Sequence, residues 1–257
     1  MKDYLLIIPA YNEEGSLGAV LDQIIEKGYL EEIDVLVIND ASSDRTAEVI
    51  SKRPEIKVVS HAFNLGYGSA LQLGYRYAVR NHYKYLLQMD ADGQHDVVNI
   101  EILKNELNTP DAEGNCPDIV IGSRFQSGSQ SFHISGVKKI SIKFFRKIIK
   151  MATGQTIMDP TSGLQGLNQK AFSFWAGFRN FDNNYPDANM VIQMLLMGYR
   201  IREVRSVMHL RTTGTSMHSG IIKPLLYMMM MPLSILSVYV RNRKAEKKKK
   251  AQAQKQA

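Results

Sequence analysis

The feature that most constrains the fold is the alternation of two hydrophobic patterns over the first hundred residues. Four short apolar runs lie at residues 4–10, 34–39, 56–60 and 83–89. The stretches between them carry apolar residues at helical spacing, such as Leu17, Leu21 and Ile24. Short apolar runs that alternate with helices are typical of parallel strands buried on both faces. The sequence therefore predicts an α/β domain with a doubly wound sheet.

Acidic residues follow three of these four runs, in the stretches PAYNEE (9–14), NDASSD (39–44) and DADGQH (90–95). In doubly wound sheets, ligands bind beyond the carboxyl ends of the strands. The first run is not followed by the G-x-G-x-x-G turn of dinucleotide-binding domains, so a dinucleotide site is not favoured. The acidic strand ends instead predict a site for a polar, charged ligand.

Two aspartates, Asp90 and Asp92, stand one residue apart directly after the fourth run. Because successive strand residues point to opposite faces, both carboxylates are predicted to lie on one side of the chain. Carboxylate oxygens suit Mg²⁺ or Mn²⁺, which usually shares its coordination with water and substrate phosphates. The alternative is an Asp-Gly turn that only closes the strand. Acids at the neighbouring strand ends favour the metal site.

Residues 4–218 resemble family 2 glycosyltransferases of the GT-A fold, in particular the polyprenyl-phosphate sugar transferases related to dolichyl-phosphate mannose synthase. The motifs that carry this resemblance are, in chain order, IPAYNEE, VINDASSDRT, NLGYGSALQLG, QMDADGQHD, IVIGSRF, MDPTSGLQG, YPDANMVIQMLLMGYRIREV and RTTGTS. It implies a GT-A domain over residues 1–218 with a mostly parallel sheet. It also implies a metal-dependent, inverting transfer of a sugar from a nucleotide sugar to an undecaprenyl- or dolichyl-type phosphate.

The resemblance assigns roles to individual residues. The positions that hold the nucleobase and ribose of the donor are Pro9, Ala10, Tyr11, Glu13 and Asp40. Asp90 and Asp92 correspond to the D-x-D that binds the metal and the donor, and Gln94 corresponds to the polar residue after it. The positions that grip phosphates are Arg124, Arg211 and Ser216. The planar fork of arginine suits this task, because it donates two parallel hydrogen bonds to a phosphate.

Two carboxylates match the base position of the family, Asp159 in MDPTSG and Asp187 in YPDAN. The tight Asp-Pro-Thr-Ser-Gly turn favours Asp159, whereas Asp187 stands where the family often has glutamate. A hydroxyl acceptor would need such a base to remove its proton. A phosphate acceptor, with a second pKa of about 6, is already ionised at neutral pH, so an aspartate need only orient it.

A basic amphipathic helix is predicted around residues 138–151, within a stretch from 119 to 158 that has no Asp or Glu. One arc of the helix carries Lys139, Lys143, Arg146, Lys147 and Lys150. The rest carries Ile140, Phe144, Phe145, Ile148, Ile149 and Met151. Such a helix fits an anionic membrane surface, with its apolar face buried in the lipid. The alternative is a core-facing helix with a solvated basic face.

The C-terminal region supports a membrane-associated protein. Residues 219–240 are expected to form an apolar membrane-associated helix, and the uncharged part, 224–240, is at the lower length limit for a span. The tail at 241–257, expected to be disordered, holds eight Lys/Arg and only Glu246 as an acid. A span would put this tail opposite the cytosolic domain, against the positive-inside rule. We therefore expect an in-plane or bent helix, with packing on the domain or on a partner as the alternative.

These features predict a peripheral or monotopic protein at the cytoplasmic face of the membrane. The single cysteine and the absence of a signal-peptide pattern favour a reducing cytosol. The net charge of +7 comes from the tail, so it does not indicate a nucleic-acid partner. A homo-oligomer or a small membrane-protein partner stays open. The competing functions are glycosyl transfer to a sugar or protein hydroxyl, and a catalytically silent scaffold of the same fold.

Overall fold

One seven-stranded sheet organises the protein. The structure is a computed structural model and describes residues 2–130, 136–184, 186–210, 232, 234–237 and 240. The strands are β1 (Tyr4–Ala10), β2 (Ile33–Asn39), β3 (Lys57–Ser60), β4 (Tyr85–Gln88), β5 (Ile119–Ser123), β6 (Gln165–Asn168) and β7 (Ile201–Arg205). Their order across the sheet is β3-β2-β1-β4-β6-β5-β7. Strand β6 runs antiparallel to β4 and β5, and the other neighbouring pairs are parallel. The mostly parallel sheet predicted from the sequence is confirmed.

Helices cover both faces of this sheet, which explains why its strands are continuous apolar runs. They are α1 (Leu17–Glu26), α2 (Thr46–Ser51), α3 (Tyr67–Arg80), α4 (Asn99–Leu107), α5 (Gly136–Thr153), α6 (Gln169–Ala176) and α7 (Ala188–Leu196). In β1, Leu5 and Ile7 enter the core under α3, α6 and α7, whereas Leu6 and Ile8 enter the core under α1 and α4. Both sets are buried because the side chains of a strand alternate between its faces.

Helix α5 confirms the predicted helix, but its apolar residues are distributed differently from the single face expected for a membrane surface. Ile142, Phe145 and Ile149 are buried in the core. A second group, which we call the outer stripe, faces solvent and consists of Ile140, Phe144 and Met151. The lysines at 139, 143, 147 and 150 are also exposed. The expected single apolar face was wrong, because α5 packs against α7 and must bury one stripe in the core.

Most of the predicted apolar helix at 219–240, and the whole basic tail at 241–257, lie outside the described residues. In the part that is described, Ile235 is buried in the main core, and the Ser234 hydroxyl donates to Asp182 (2.8 Å). This turn therefore packs on the α/β domain, as the alternative for this segment expects. Among the described residues, no helix has both the length and the apolar character needed to cross a bilayer.

Candidate active site

The strand ends predicted to form a site meet at one edge of the sheet. Strands β2, β1 and β4 are parallel neighbours, so their carboxyl ends lie side by side. The Asp40 N–H donates to the carbonyl of Ala10 (2.9 Å), and the Met89 N–H donates to the carbonyl of Ile7 (3.2 Å). The segments that follow these three strands are therefore adjacent, as the strand pattern predicts.

The residues assigned to the nucleotide from the first motif differ in accessibility. Pro9 and Ala10 are buried at the end of β1. Tyr11 is 48% exposed at the edge of the sheet. Glu13 is half-buried and accepts a hydrogen bond from the Ser16 hydroxyl (2.7 Å). Contact of these four residues with a nucleotide stays a prediction.

Asp40 is buried and binds the loop that follows β3. Its Oδ1 accepts from the backbone N–H of Leu65 (2.9 Å) and lies 2.6 Å from Nδ1 of His61. Its Oδ2 accepts from the N–H of Gly66 (2.8 Å), which has a φ of 89° that favours glycine. The carboxylate therefore shapes residues 61–66 at the start of α3. Its predicted contact with the donor nucleotide stays a prediction.

Asp90 is held by two side chains whose roles were not predicted from the sequence. The Tyr67 hydroxyl donates to its Oδ1 (2.9 Å), and Nε2 of His95 lies 3.5 Å from its Oδ2. Nδ1 of His95 is buried and has no hydrogen-bond partner among the described residues. Burial and the nearby Asp90 carboxylate raise the pKa of Tyr67 well above its usual range, so this hydroxyl remains a donor. Both residues lie in the motifs quoted above, but nothing local shows that they converge.

A glycine brings a second loop against the same carboxylate. A Cβ at Gly163 would lie 2.6 Å from Oδ2 of Asp90 and 3.0 Å from the Tyr67 hydroxyl. The carbonyl of Gly163 accepts from Nε2 of Gln88 (3.0 Å), at the end of β4. Any side chain at position 163 would displace Asp90, which explains the glycine in the 159–163 turn.

Asp92 lies in a turn and not in a strand. Strand β4 ends at Gln88, and the chain turns through Ala91–Gly93, where Gly93 has a φ of 73°. We expected strand alternation to place the Asp90 and Asp92 carboxylates on one side of the chain. This reason was wrong, because both residues lie beyond the end of β4. Oδ1 of Asp92 accepts from the backbone N–H of Gln94 (3.0 Å). The turn still keeps both aspartates at the carboxyl edge of the sheet.

The segment between the end of β7 and Leu210 runs beside this turn. The His209 N–H donates to the carbonyl of Gln94 (2.7 Å), and the Asp96 N–H donates to the carbonyl of Val207 (3.1 Å). Arg211 and Ser216, which the family resemblance assigns to phosphate binding, lie outside the described residues. Their predicted roles stay predictions.

Arg124 and Asp159 form a buried ion pair that the sequence did not predict. Nε and Nη2 of Arg124 donate to the two oxygens of Asp159 (2.7 and 2.5 Å), and the Arg124 backbone N–H donates to Oδ2 (2.9 Å). Nη2 also donates to the Thr161 hydroxyl (3.1 Å). The Asp159 side chain is 0% exposed. It cannot meet an acceptor without movement, so the structure argues against the predicted base role and indicates that Asp159 orients Arg124.

Asp187, the second candidate base, lies within electrostatic reach of the acidic edge. It is half-buried at the N-terminus of α7, where the carbonyl of Asp187 accepts from the Met190 N–H (2.9 Å). Its charge also contributes to the raised pKa of Tyr67, the residue that donates to Asp90. The structure therefore brings Asp187, Tyr67 and Asp90 into one region, whereas Asp159 is buried beside Arg124.

The residues present fit a divalent cation only if a ligand completes its coordination. Asp90 and Asp92 supply hard oxygen atoms at the sheet edge, and Tyr67 and His95 orient Asp90. Among the described residues, no group of three or more His, Cys, Asp or Glu could hold a metal by itself. This suits Mg²⁺ or Mn²⁺, which commonly binds through one or two carboxylates together with substrate phosphates and water.

Comparisons with known proteins agree with this geometry. The family model described as Glycosyl transferase family 2 matches residues 5–175, more than half of the chain. An undecaprenyl-phosphate mannosyltransferase from Micrococcus luteus is 28% identical over 241 residues, which cover 84% of this chain and 87% of that protein. A dolichyl-phosphate beta-glucosyltransferase from Trichomonas vaginalis is 32% identical over 181 residues, which cover 65% of this chain and 51% of that protein.

The fold also resembles that of a solved enzyme. The glucosyl-3-phosphoglycerate synthase of Mycobacterium tuberculosis, in complex with Mn²⁺, UDP-glucose and phosphoglyceric acid, superposes with a TM-score of 0.63. The match covers 93% of this chain and 80% of that chain at 17% sequence identity, so it shows a GT-A-like α/β fold. The family match, the relatives and the fold lead to one conclusion: the chain belongs to glycosyl transferase family 2 and is a nucleotide-sugar-dependent glycosyltransferase.

Proposed function

We propose that this enzyme transfers a sugar from a nucleotide sugar to the phosphate of a polyprenyl phosphate, at the cytoplasmic face of a membrane. The observation that supports this acceptor is the burial of Asp159 in its ion pair with Arg124. A hydroxyl acceptor needs a base, whereas a phosphate is ionised at neutral pH and can attack without one. Relatives named for undecaprenyl phosphate and dolichyl phosphate support the same class of acceptor.

The reaction is a single displacement with inversion. An oxygen of the acceptor phosphate attacks the anomeric carbon from the side opposite the leaving group. The bond from that carbon to the nucleoside diphosphate breaks, and its electron pair leaves with the diphosphate. Asp159 holds Nε and Nη2 of Arg124. Among the described residues, none accepts from Nη1, so this nitrogen is the part of Arg124 that is left for a phosphate.

Asp90 and Asp92 would hold a Mg²⁺ or Mn²⁺ ion. When bound, the ion neutralises the negative charge that develops on the departing diphosphate. Tyr67 and His95 contribute by keeping the Asp90 carboxylate in one orientation, which lowers the cost of assembling the site when the donor binds. The Mn²⁺ in the related M. tuberculosis enzyme supports a divalent ion in general.

The test of this function compares acceptors that differ only in the phosphate. The purified full chain is incubated with Mn²⁺, a panel of nucleotide sugars, and either a polyprenyl phosphate or the matching polyprenol. We expect a glycosylated lipid, identified by its mass, from the phosphate alone and with one nucleotide sugar favoured. The anomeric configuration of the product, read by NMR, should be opposite to that of the donor.

Two outcomes would contradict the proposal. Equal transfer to the polyprenol would show that the phosphate is not the nucleophile. Transfer to a sugar or protein hydroxyl, with no lipid product from any donor, would favour the hydroxyl-acceptor alternative. In that case Asp187 becomes the candidate base, since it is half-buried beside the Asp90 region and Asp159 is not accessible.

The membrane part of the proposal is carried by the solvent-facing side of α5. The outer stripe is strongly exposed, with Ile140 at 64% and Met151 at 76%. The exposed lysines of α5 adjoin it, and the helix contains no acidic residue. Apolar side chains can enter the headgroup region while the lysines pair with anionic lipid, at about 1 kcal/mol per basic residue. The surface that we expect to meet lipid is therefore the outer stripe with these lysines.

Substitutions on this surface should separate the apolar and the charged contributions. The double variant Ile140→Ser/Met151→Ser should lower binding to anionic vesicles by about tenfold at every salt concentration, because it removes apolar area. Lys143→Gln/Lys147→Gln should lower binding mainly at low salt, because screening acts on the charge term. Co-sedimentation measures both effects, with Val58→Ser, a 50% exposed valine on the edge strand β3, as the control. Wild-type binding by both double variants would exclude this surface.

A further inference from the structure

The peptide between Met158 and Asp159 is held from two sides by charged side chains. Oε2 of Glu203, on β7, accepts from the Met158 N–H (2.6 Å), and Oε1 accepts from the Asp159 N–H (2.7 Å). From α5, Nε of Arg146 donates to the carbonyl of Met158 (2.6 Å). Three polar groups of this short backbone segment are thus bound by side chains from two separate elements. Charged side chains normally prefer water, but these two bind backbone groups.

Glu203 occupies this position at an electrostatic cost. Burial raises the pKa of its carboxyl above the usual range, and the charge of Asp159 raises it further, although the two backbone N–H groups oppose the shift. Strand β7 pairs with β5, and Glu203 lies opposite Ile121, close to where β5 leads into Arg124. Keeping the Glu203 carboxylate beside Asp159 costs electrostatic free energy. The two hydrogen bonds that Glu203 accepts from the 158–159 backbone must offset this cost.

Arg146 connects the same peptide to Arg124 through an aromatic ring. The Cζ of Arg146 lies 4.3 Å from the centroid of the Phe125 ring, and the Cζ of Arg124 lies 5.9 Å from it. Nη2 of Arg146 is buried and has no hydrogen-bond partner among the described residues. The Arg146 guanidinium is therefore held by the Met158 carbonyl and the ring face. Two arginines and two carboxylates balance in charge around the 158–159 peptide.

We propose that Glu203 and Arg146 are positioning residues: together they fix the Met158–Asp159 peptide, and through Asp159 they set the direction of the Arg124 guanidinium. The chain of contacts runs from Glu203 and Arg146 to the 158–159 backbone, and from the Asp159 carboxylate to two nitrogens of Arg124. The effect on turnover rests on the proposed function, in which Arg124 meets a phosphate. The effect on the Arg124 side chain itself does not.

The test therefore reads the Arg124 side chain directly. The Arg124 Nε–H, assigned by its loss in Arg124→Lys, is followed by ¹⁵N NMR as it exchanges with water. Glu203→Gln keeps the shape but cannot accept from both N–H groups, and Arg146→Lys keeps the charge but loses the planar donor. The matched control is Glu106→Gln, which breaks a half-buried ion pair with Arg202 on β7, away from Arg124.

We expect the Arg124 Nε–H to exchange at least about tenfold faster in both variants, and at the wild-type rate in the control. Turnover should fall by about 10- to 100-fold, because small misplacements of an aligned group are costly. The calorimetric Kd for the nucleoside diphosphate of the preferred donor should change by less than about twofold, because these residues act through Arg124 on the acceptor phosphate. The melting temperature of each variant, compared with that of the control, separates misplacement from general unfolding.

The proposal is overturned if the Arg124 Nε–H exchanges at the wild-type rate in both variants, whatever their turnover. It is also overturned if turnover in both variants falls no further than in Glu106→Gln. If Glu203→Gln does not fold, Arg146→Lys decides alone, because Arg146 lies at the edge of the core on α5. Faster exchange together with failed transfer to every polyprenyl phosphate would support the positioning roles and reject only the proposed acceptor.

Discussion

Replacing Asp92 by alanine is expected to lower turnover by about 10³-fold, equivalent to about 4 kcal/mol of transition-state stabilisation. Asp92 is one of the two carboxylates proposed to hold the cation, and its loss would leave the ion with Asp90 alone. The fold should be retained, since Asp92 lies in a half-exposed turn beyond the end of β4 and outside the apolar core. Initial rates with added Mn²⁺ measure the turnover, and circular dichroism shows whether the fold is retained.

The control for this substitution is Asp111→Ala. Asp111 also accepts a backbone N–H two residues later, that of Glu113 (2.9 Å), together with that of Asn115 (2.8 Å), but it precedes β5 and lies at the opposite edge of the sheet. The control removes an equivalent turn contact without touching the acidic edge, so its turnover should stay within about twofold of wild type. Near-normal turnover of Asp92→Ala, or full activity of the wild type in EDTA, would rule out the metal role.

Replacing Arg124 by methionine is expected to lower the free energy of unfolding by about 3–5 kcal/mol, because it leaves the Asp159 carboxylate buried and unpaired. The double variant Arg124→Met/Asp159→Leu should recover most of this loss, since apolar side chains can replace a buried ion pair at little cost. Turnover should not recover, because the phosphate-directed guanidinium is absent in both variants. Urea denaturation measures the stability, and initial rates measure the turnover.

A surface pair with the same bidentate geometry is the control for the stability change. Arg53 donates through Nε and Nη2 to the two oxygens of Asp22 (2.7 and 2.6 Å), but Asp22 is 51% exposed. Arg53→Met should therefore cost only about 1 kcal/mol. A loss for Arg124→Met no larger than this would show that Asp159 tolerates its charge without Arg124. Recovery of turnover in the double variant would mean that the pair is structural only.

The sheet and the place of the site could be predicted because both depend on local patterns. A run such as Tyr4–Ala10 is apolar at nearly every position only if both faces of the strand are covered, and this implies parallel strands with helices on both sides. In that architecture the site must lie at the carboxyl ends of the strands. Asp40 and Asp90 were therefore predicted together from positions 50 residues apart, and the structure confirms that they share one edge.

The partners of the charged residues could not be predicted in the same way. Asp159 lies in a tight turn, which made it a reasonable base, but its availability depends on Arg124 and Glu203, which approach from β5 and β7. Tyr67 and His95 stood in recognised motifs, yet nothing in the spacing shows that both reach Asp90. Hydrogen bonds between residues far apart in sequence leave no periodic signal.

Helix α5 shows where the two kinds of information divide. The 3.6-residue period determined that a helix forms here and that its basic residues share one side. It could not determine which apolar residues remain exposed, because Phe145 and Phe144 are equally apolar in sequence and only the tertiary packing, in which α5 contacts α7, decides that one is buried and the other is not. The sequence by itself determined the elements, their order and the acidic edge, since these follow from local patterning. Only the tertiary structure decided which charges are paired and which apolar surface stays free, because both depend on neighbours brought together by folding.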